Sequence, residues 1–217
     1  MLEILLPRLA TALGDTLLMV GASAAIALLA GIPLAVLLVL TAPGGVLPAP
    51  RFHSTAGALV NGFSATPFIV LLVALIPLTR LIAGTTIGVW AAVVPLSISA
   101  TPFFARIAEV SLREVDHGLI EAAQAMGCSR WHIVRHVLLP EALPGIVGGF
   151  TITVVSMIGA SAMAGAVGAG GLGDLAIRYG YQRFDTTTMV AVIVVLIALV
   201  SLVQFTGDWW VRRLKAR

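Results

Sequence analysis

Residues 116–145 read DHGLIEAAQAMGCSRWHIVRHVLLPEALPG, the one long polar interval in a chain otherwise built of apolar runs. Leu119, Ile120, Ala123 and Met126 recur at near-helical spacing and predict a single apolar stripe. Ala122, Ala123 and Ala125 are good helix formers of little bulk, so another protein can come close to the backbone there. Gly127 can take φ > 0 and end that helix without a Cβ clash. Ser129 is placed to cap a second helix running toward Val137, and Pro140 to close it. The expected unit is a helix, a turn and a helix presented outside a membrane, either as a docking element or as a solvated amphipathic loop.

The bulk of the chain sets the surroundings of that unit. Of 217 residues, 59% are apolar and 11% charged, with a mean hydropathy of +1.05. Soluble domains carry about 25% charged residues, so the composition is that of an all-α integral membrane protein. The net charge of +3 is modest and gathers at the ends and loops, which points to orientation in a bilayer and not to nucleic acid. The single cysteine, Cys128, excludes an internal disulfide. One transmembrane domain over 1–217 is expected, without a low-complexity linker.

Taken in order, the apolar runs predict five spans, at about 16–40, 56–79, 84–105, 145–168 and 186–207. Ala22-Ser23-Ala24 offers the small residues of a signal-peptidase site, but Asp15 and the apolar length after it argue against cleavage. Pro33 is expected to kink the first span. Pro67, Pro77, Pro95 and Pro102 lie inside the second and third, and such breaks should face protein or a wet cavity. Asn61, Ser64 and Thr66 around Pro67 are therefore candidate pathway linings, and equally candidate interhelical hydrogen-bonders. Ala160, Ala164 and Gly168 repeat every four positions, as do Ser161 and Gly165, a spacing for close helix packing at a subunit interface or a pathway wall. A polar loop is expected over 174–185, and a cytoplasmic loop over about 106–144. Trp209 and Trp210, followed by Arg212, Arg213, Lys215 and Arg217, close the last span at interfacial depth. With the C-terminus inside and the N-terminus outside, nine of the 13 basic residues fall on the inner side. That bias puts the Glu121 interval in the cytoplasm, where ATP is.

Several motifs lead nowhere. Gly168, Gly170 and Gly173 satisfy G-x-G-x-x-G, but a spanning helix precedes them and no acidic residue follows about 20 positions on. Flexible backbone at a helix end explains them better. His132 and His136 share a helical face one turn from Cys128, but a zincin helix needs Glu where Ile133 stands, so no metal site is expected. No G-x-x-x-x-G-K-[ST] loop occurs, so the polypeptide is not expected to hydrolyse ATP or to be an enzyme. The predicted spans hold no acidic residue or lysine, which weakens an ion-coupled carrier, although carbonyl groups can also hold sodium.

Glu121-Ala122-Ala123, Gly127, and Val137-Leu138-Leu139-Pro140 stand at the offsets of the EAA loop, and the interval resembles that loop of binding-protein-dependent ATP-driven importers, with Val137 where the family usually has Ile. The likeness extends to LVNGFSATPFIVLLVALIPLTRLIAGTTIG, VPLSISATPFFARIAEVSLREV, SAMAGAVGAGGLG and QFTGDWWVRR, which are similar to permeases of the bacterial methionine-importer family. The resemblance implies a type I importer permease of five spans in the bacterial inner membrane, forming the methionine pathway by alternating access. It implies a homodimer on two ATPase subunits, which bind ATP and magnesium, with an outer binding lipoprotein delivering the solute. Glu121, Ala122, Ala123, Met126, Gly127, Leu139 and Pro140 would then couple to the ATPase, Met163 would gate the outer end of the pathway, and Ser161 would line it. Family members often have Arg where Ser64 stands, so any role of that Arg is missing here. Another amino acid or small organic solute remains the nearer alternative, and an ion-coupled carrier without an ATPase the farther one.

Overall fold

The structure, a computed structural model, describes residues 2–216 and is helical throughout its ordered elements. The elements are α1 (Leu2–Thr41), α2 (Pro50–Ala65), α3 (Phe68–Ala74), α4 (Ile76–Ala83), α5 (Val89–Arg113), α6 (His117–Ala125), α7 (Arg130–Ile133), α8 (Leu139–Ala166), α9 (Gly171–Leu175) and α10 (Thr186–Lys215). Two π-helical stretches, Val134–Leu138 and Ala176–Tyr181, precede α8 and follow α9. Among the described residues four helical stretches are long and apolar enough to cross a membrane, and α2 with α3, bent by 104° at their junction, has the length and composition of a fifth, broken span.

α5 is the central helix, packed between α1 on one side and α8 on the other, with α10 outside α8. Two large buried clusters fill these contacts. One joins Met19, Ala27, Leu96, Met157 and Ile158; the other joins Ala35, Phe104, Ala108, Leu112, Leu138 and Ile146. Small residues let the helices approach. A Cβ on Gly31 would meet the Phe104 ring at 2.6 Å, and one on Gly149 or Gly207 would collide with Ile107 or Thr151. Large apolar side chains such as Leu29, Leu81, Ile197 and Phe205 remain exposed, as expected of surface that faces lipid.

The prolines do not act alike. Pro95 and Pro102 sit inside an unbroken α5, contrary to the expected breaks. Hydroxyls supply donors along that stretch: Ser97 Oγ and, from α1, Ser23 Oγ donate to Val93 O, and Thr101 Oγ1 donates to Ser97 O. The breaks occur at Pro67, where α2 ends and α3 begins, and at Leu75 just before Pro77. Pro33 likewise lies within a continuous α1.

Other boundaries also shift from expectation. α1 begins at Leu2, well before residue 16, so Asp15 is helical. α5 continues through Arg113, which makes the first part of the expected 106–144 loop helical. Residues 174–185 are mostly helical, not a polar loop. Pro140 does not close a helix: it occupies the first turn of α8, and α7, the π-helical stretch and α8 run on without a gap. The wide turn explains this, because Leu139 N–H bonds to Val134 O, five residues back. That spacing displaces the carbonyl with which a proline ring would otherwise clash.

The glycine run has a structural task. Gly168, Gly170 and Gly171 all take positive φ, turning the chain so that α9 lies back on α8. A Cβ on Gly173 would fall on the Ala162 backbone. Thr16 Oγ1 then accepts from Leu172 N at 2.9 Å and ties the turn to α1.

Candidate coupling surface and membrane cavity

α6 is a short, firmly bounded helix. Asp116 Oδ1 accepts from Gly118 N at 2.8 Å and caps its start. At its end Gly127 takes φ +74°, its N–H bonds to Gln124 O, and Cys128 N–H bonds to Ala123 O. Those two bonds are the paired closure of a Schellman turn. Ser129 caps the next helix, accepting from His132 N at 3.3 Å, as the sequence predicts.

The predicted stripe divides between two faces. Ile120 and Ala123 pack inward against Leu112, Val134 and Leu138. Leu119 and Met126 point outward, 44% and 75% exposed, together with Glu121, Ala122 and Gly127. Trp131, 68% exposed, extends the outward surface. Glu121 also borders a groove of about 470 Å³ between α6 and the turn at 42–46. Leu139, half-buried, and Pro140, exposed, lie in the first turn of α8 and not on α6.

An ion network that the sequence reading did not name stands beside α6. Glu109, 1% exposed, pairs with Arg106 at 2.8 Å and Arg113 at 2.6 Å. Arg113 also donates to His53 Nε2 at 3.4 Å, while His53 Nδ1 lies 3.0 Å from Leu38 O. A carbonyl only accepts, so Nδ1 carries the proton and Nε2 is free to accept. The network ties α1, α2 and α5 together. Its signal was the i, i+3 and i, i+4 charge spacing around Glu109.

Deeper in the bundle, a cavity of about 190 Å³ lies where the α2–α3 break meets the middles of α5 and α8. Ser64, Thr66, Phe68, Ser99, Phe103, Thr153, Ser156 and Met157 are among its walls. Ser64 and Thr66 thus meet there, whereas Asn61 and Ser161 do not line it. Asn61 is exposed on α2, and Ser161, 2% exposed, donates to Ile158 O at 2.7 Å. Met163 is 52% exposed near the end of α8. His132 and His136 stack with ring centroids 4.1 Å apart. Among the described residues no three ligand-type side chains converge on a metal position.

At the opposite end, Arg8 and Arg183 each lie 4.6 Å from the Tyr179 ring centroid. Asp185 caps α10, and its carboxyl is held below the usual carboxylate range by the Thr188 hydroxyl, then by the Thr188 N–H. Arg213 lies over Trp209 at 5.3 Å, beside Trp210, an interfacial arrangement of cation and aromatic ring.

Residues 31–217 match the family described as the binding-protein-dependent transport system inner membrane component. The chain belongs to that family. It is 51% identical over 209 residues to a probable D-methionine transport system permease protein of Vibrio cholerae, covering 96% of this chain and 93% of the relative. It is 49% identical over 151 residues to the D-methionine transport system permease protein of Escherichia coli, covering 70% of each. Among solved structures, it is similar to a chain of the MetNI methionine ABC transporter in an inward-facing conformation. There the TM-score is 0.97 at 48% identity, with 99% of each chain covered. The fold is that of a type I importer permease, an inner-membrane component of a transporter and not its ATPase.

Proposed function

We propose that this chain is the permease of an ATP-driven methionine importer, working as a homodimer on two ATPase subunits and receiving its solute from an outer binding lipoprotein. The names of similar chains support the methionine reading: one is a probable D-methionine transport system permease, another belongs to a methionine ABC transporter. The observation that carries the coupling role is α6, capped at both ends and presenting Leu119, Ala122 and Met126 outward while Ile120 and Ala123 anchor it. A short rigid helix of small residues transmits displacement instead of absorbing it. Glu121 to Gly127 would seat in the ATPase, with Leu139 and Pro140 continuing the lever into α8. ATP and magnesium belong to the partner.

In this reading the N-terminus is outside and the C-terminus cytoplasmic. ATP binding draws the ATPases together, each grips α6, and the spans open outward; hydrolysis and product release reverse the tilt. Directionality comes from the different affinity of nucleotide for the two states. Ser64 and Thr66 line the pathway, and Met163, a flexible thioether among small residues, closes its outer end. The test is co-purification with the ATPase and methionine uptake by reconstituted complexes. Glu121→Lys is expected to lower both, and wild-type behaviour in that variant would count against the reading.

A further inference from the structure

We propose that the groove between α1 and α2 is a phospholipid site, holding one acyl chain of an anionic lipid with the headgroup phosphate against Arg106 and Arg113. Such a site needs only a chain that spans a bilayer, and it lies outside the part played in transport.

The groove, about 430 Å³, has α5 as its floor. Ile26 and Leu34 of α1, Leu59 and Phe63 of α2, and Ile98 and Pro102 of α5 form its apolar walls. Its hydroxyls, on Ser97 and Thr101, already donate to Val93 O and Ser97 O, so they call for no polar ligand. Ile26, Leu59 and Phe63 are exposed, and the groove therefore opens sideways, toward lipid tails.

All three walls run into one charged cluster. One turn beyond Leu34 stands Leu38, one turn before Ala56 stands His53, and one turn beyond Pro102 stands Arg106. His53 bridges these positions, its Nδ1 on Leu38 O and its Nε2 accepting from Arg113. Arg106 and Arg113 are half-exposed, and each engages Glu109 through one nitrogen. A guanidinium carries five N–H donors, so both keep donors for a phosphate. Arg51, exposed two residues before His53, adds to the positive excess over the Glu109 carboxylate. Glu114 and Asp116 border a separate cleft that they share with Lys215.

The dimensions agree. From Arg106 to Ser97 the helix rises about 14 Å at 1.5 Å per residue, close to half of the roughly 30 Å hydrocarbon thickness. An acyl chain of one leaflet thus runs from the cluster to the far end of the groove. A zwitterionic lipid brings an ammonium group toward the same cations and is held less well.

The test places the purified permease complex in phosphatidylcholine nanodiscs. A trace of phosphatidylglycerol or of phosphatidylcholine, each with a diazirine on its acyl chain, is photoactivated, and the labelled peptides are mapped by mass spectrometry. Peptides carrying Leu59, Phe63 and Ile98 are expected to take at least about fivefold more label from phosphatidylglycerol, as the attraction of one cation for an anionic lipid implies. Arg106→Gln is expected to bring that ratio below about twofold, and Arg106→Lys to restore most of it. Ala56→Phe, which fills the groove beside the cluster, is expected to remove the label there from both probes while label elsewhere on the chain persists. Equal labelling by the two lipids, a ratio unchanged in Arg106→Gln, or label unchanged in Ala56→Phe would overturn the site. So would groove peptides that neither probe labels, the result expected if a helix of a second copy covers the groove.

Discussion

At the scale of single residues, Gly127 and Asp185 carry the clearest demands. Gly127 sits at φ +74° with no heavy atom within 4 Å of where a Cβ would stand. Its replacement is therefore limited by backbone strain and not by space. Gly127→Val is expected to cost about 1–2 kcal/mol of the turn, the usual penalty of a left-handed L-residue. Asn, which tolerates that conformation, is expected to cost clearly less. ATPase retention on purification should follow the order Gly, Asn, Val. Asp185 makes a pH prediction. Its folded pKa is lowered, so the cap contributes fully above the ordinary value of 3.8 and is lost as pH falls through the lowered value. Amide exchange at Thr188 should therefore accelerate only under acid conditions, and should be fast at neutral pH in Asp185→Ala.

Among the elements, α5 shows what local sequence conceals. Four long apolar helices, the α6 helix, the Gly127 turn and the Ser129 cap are all readable from spacing and residue type. The behaviour of Pro67, Pro95 and Pro102 is not. All three interrupt a donor series in the same way, but α5 is held straight by its packing between α1 and α8. α2 and α3 have thinner packing and give way. Of the residues expected to line the pathway, Ser64 and Thr66 meet at one cavity because they flank that break. Asn61 and Ser161 turn elsewhere, which residue type alone does not reveal. For Glu109 the charge spacing signals the ion pairs, but its burial is not legible, because that depends on how the helices pack around the end of α5.

That buried carboxylate makes an asymmetric prediction. Arg106 and Arg113 are each half-exposed, with side chains 48% accessible, so Glu109→Leu leaves two cations that water can solvate. It is expected to be nearly neutral for stability. Removing both arginines strands the buried charge and is expected to cost about 3 kcal/mol or more. Thermal unfolding of the detergent-solubilised permease should separate the two variants clearly, and equal losses would contradict the asymmetry.

For the whole molecule, the decisive matter is sidedness. Cys128, the single cysteine, is half-buried directly after the α6 turn. A membrane-impermeant maleimide should label it in inside-out vesicles and leave it unlabelled in right-side-out ones. The reverse pattern would place α6 outside, away from ATP, and remove the coupling role.

The length of α1 has a consequence of its own. Its 40 residues make a rod of about 60 Å at 1.5 Å per residue, roughly twice the hydrocarbon thickness of about 30 Å. Such a rod either leans or juts past the headgroups, and Arg8 stacked on Tyr179 anchors its N-terminal end to the stretch that follows α9. Thickening the bilayer would pull that anchor toward oil, so acyl-chain length should itself act as a tuning knob on how upright the rod stands.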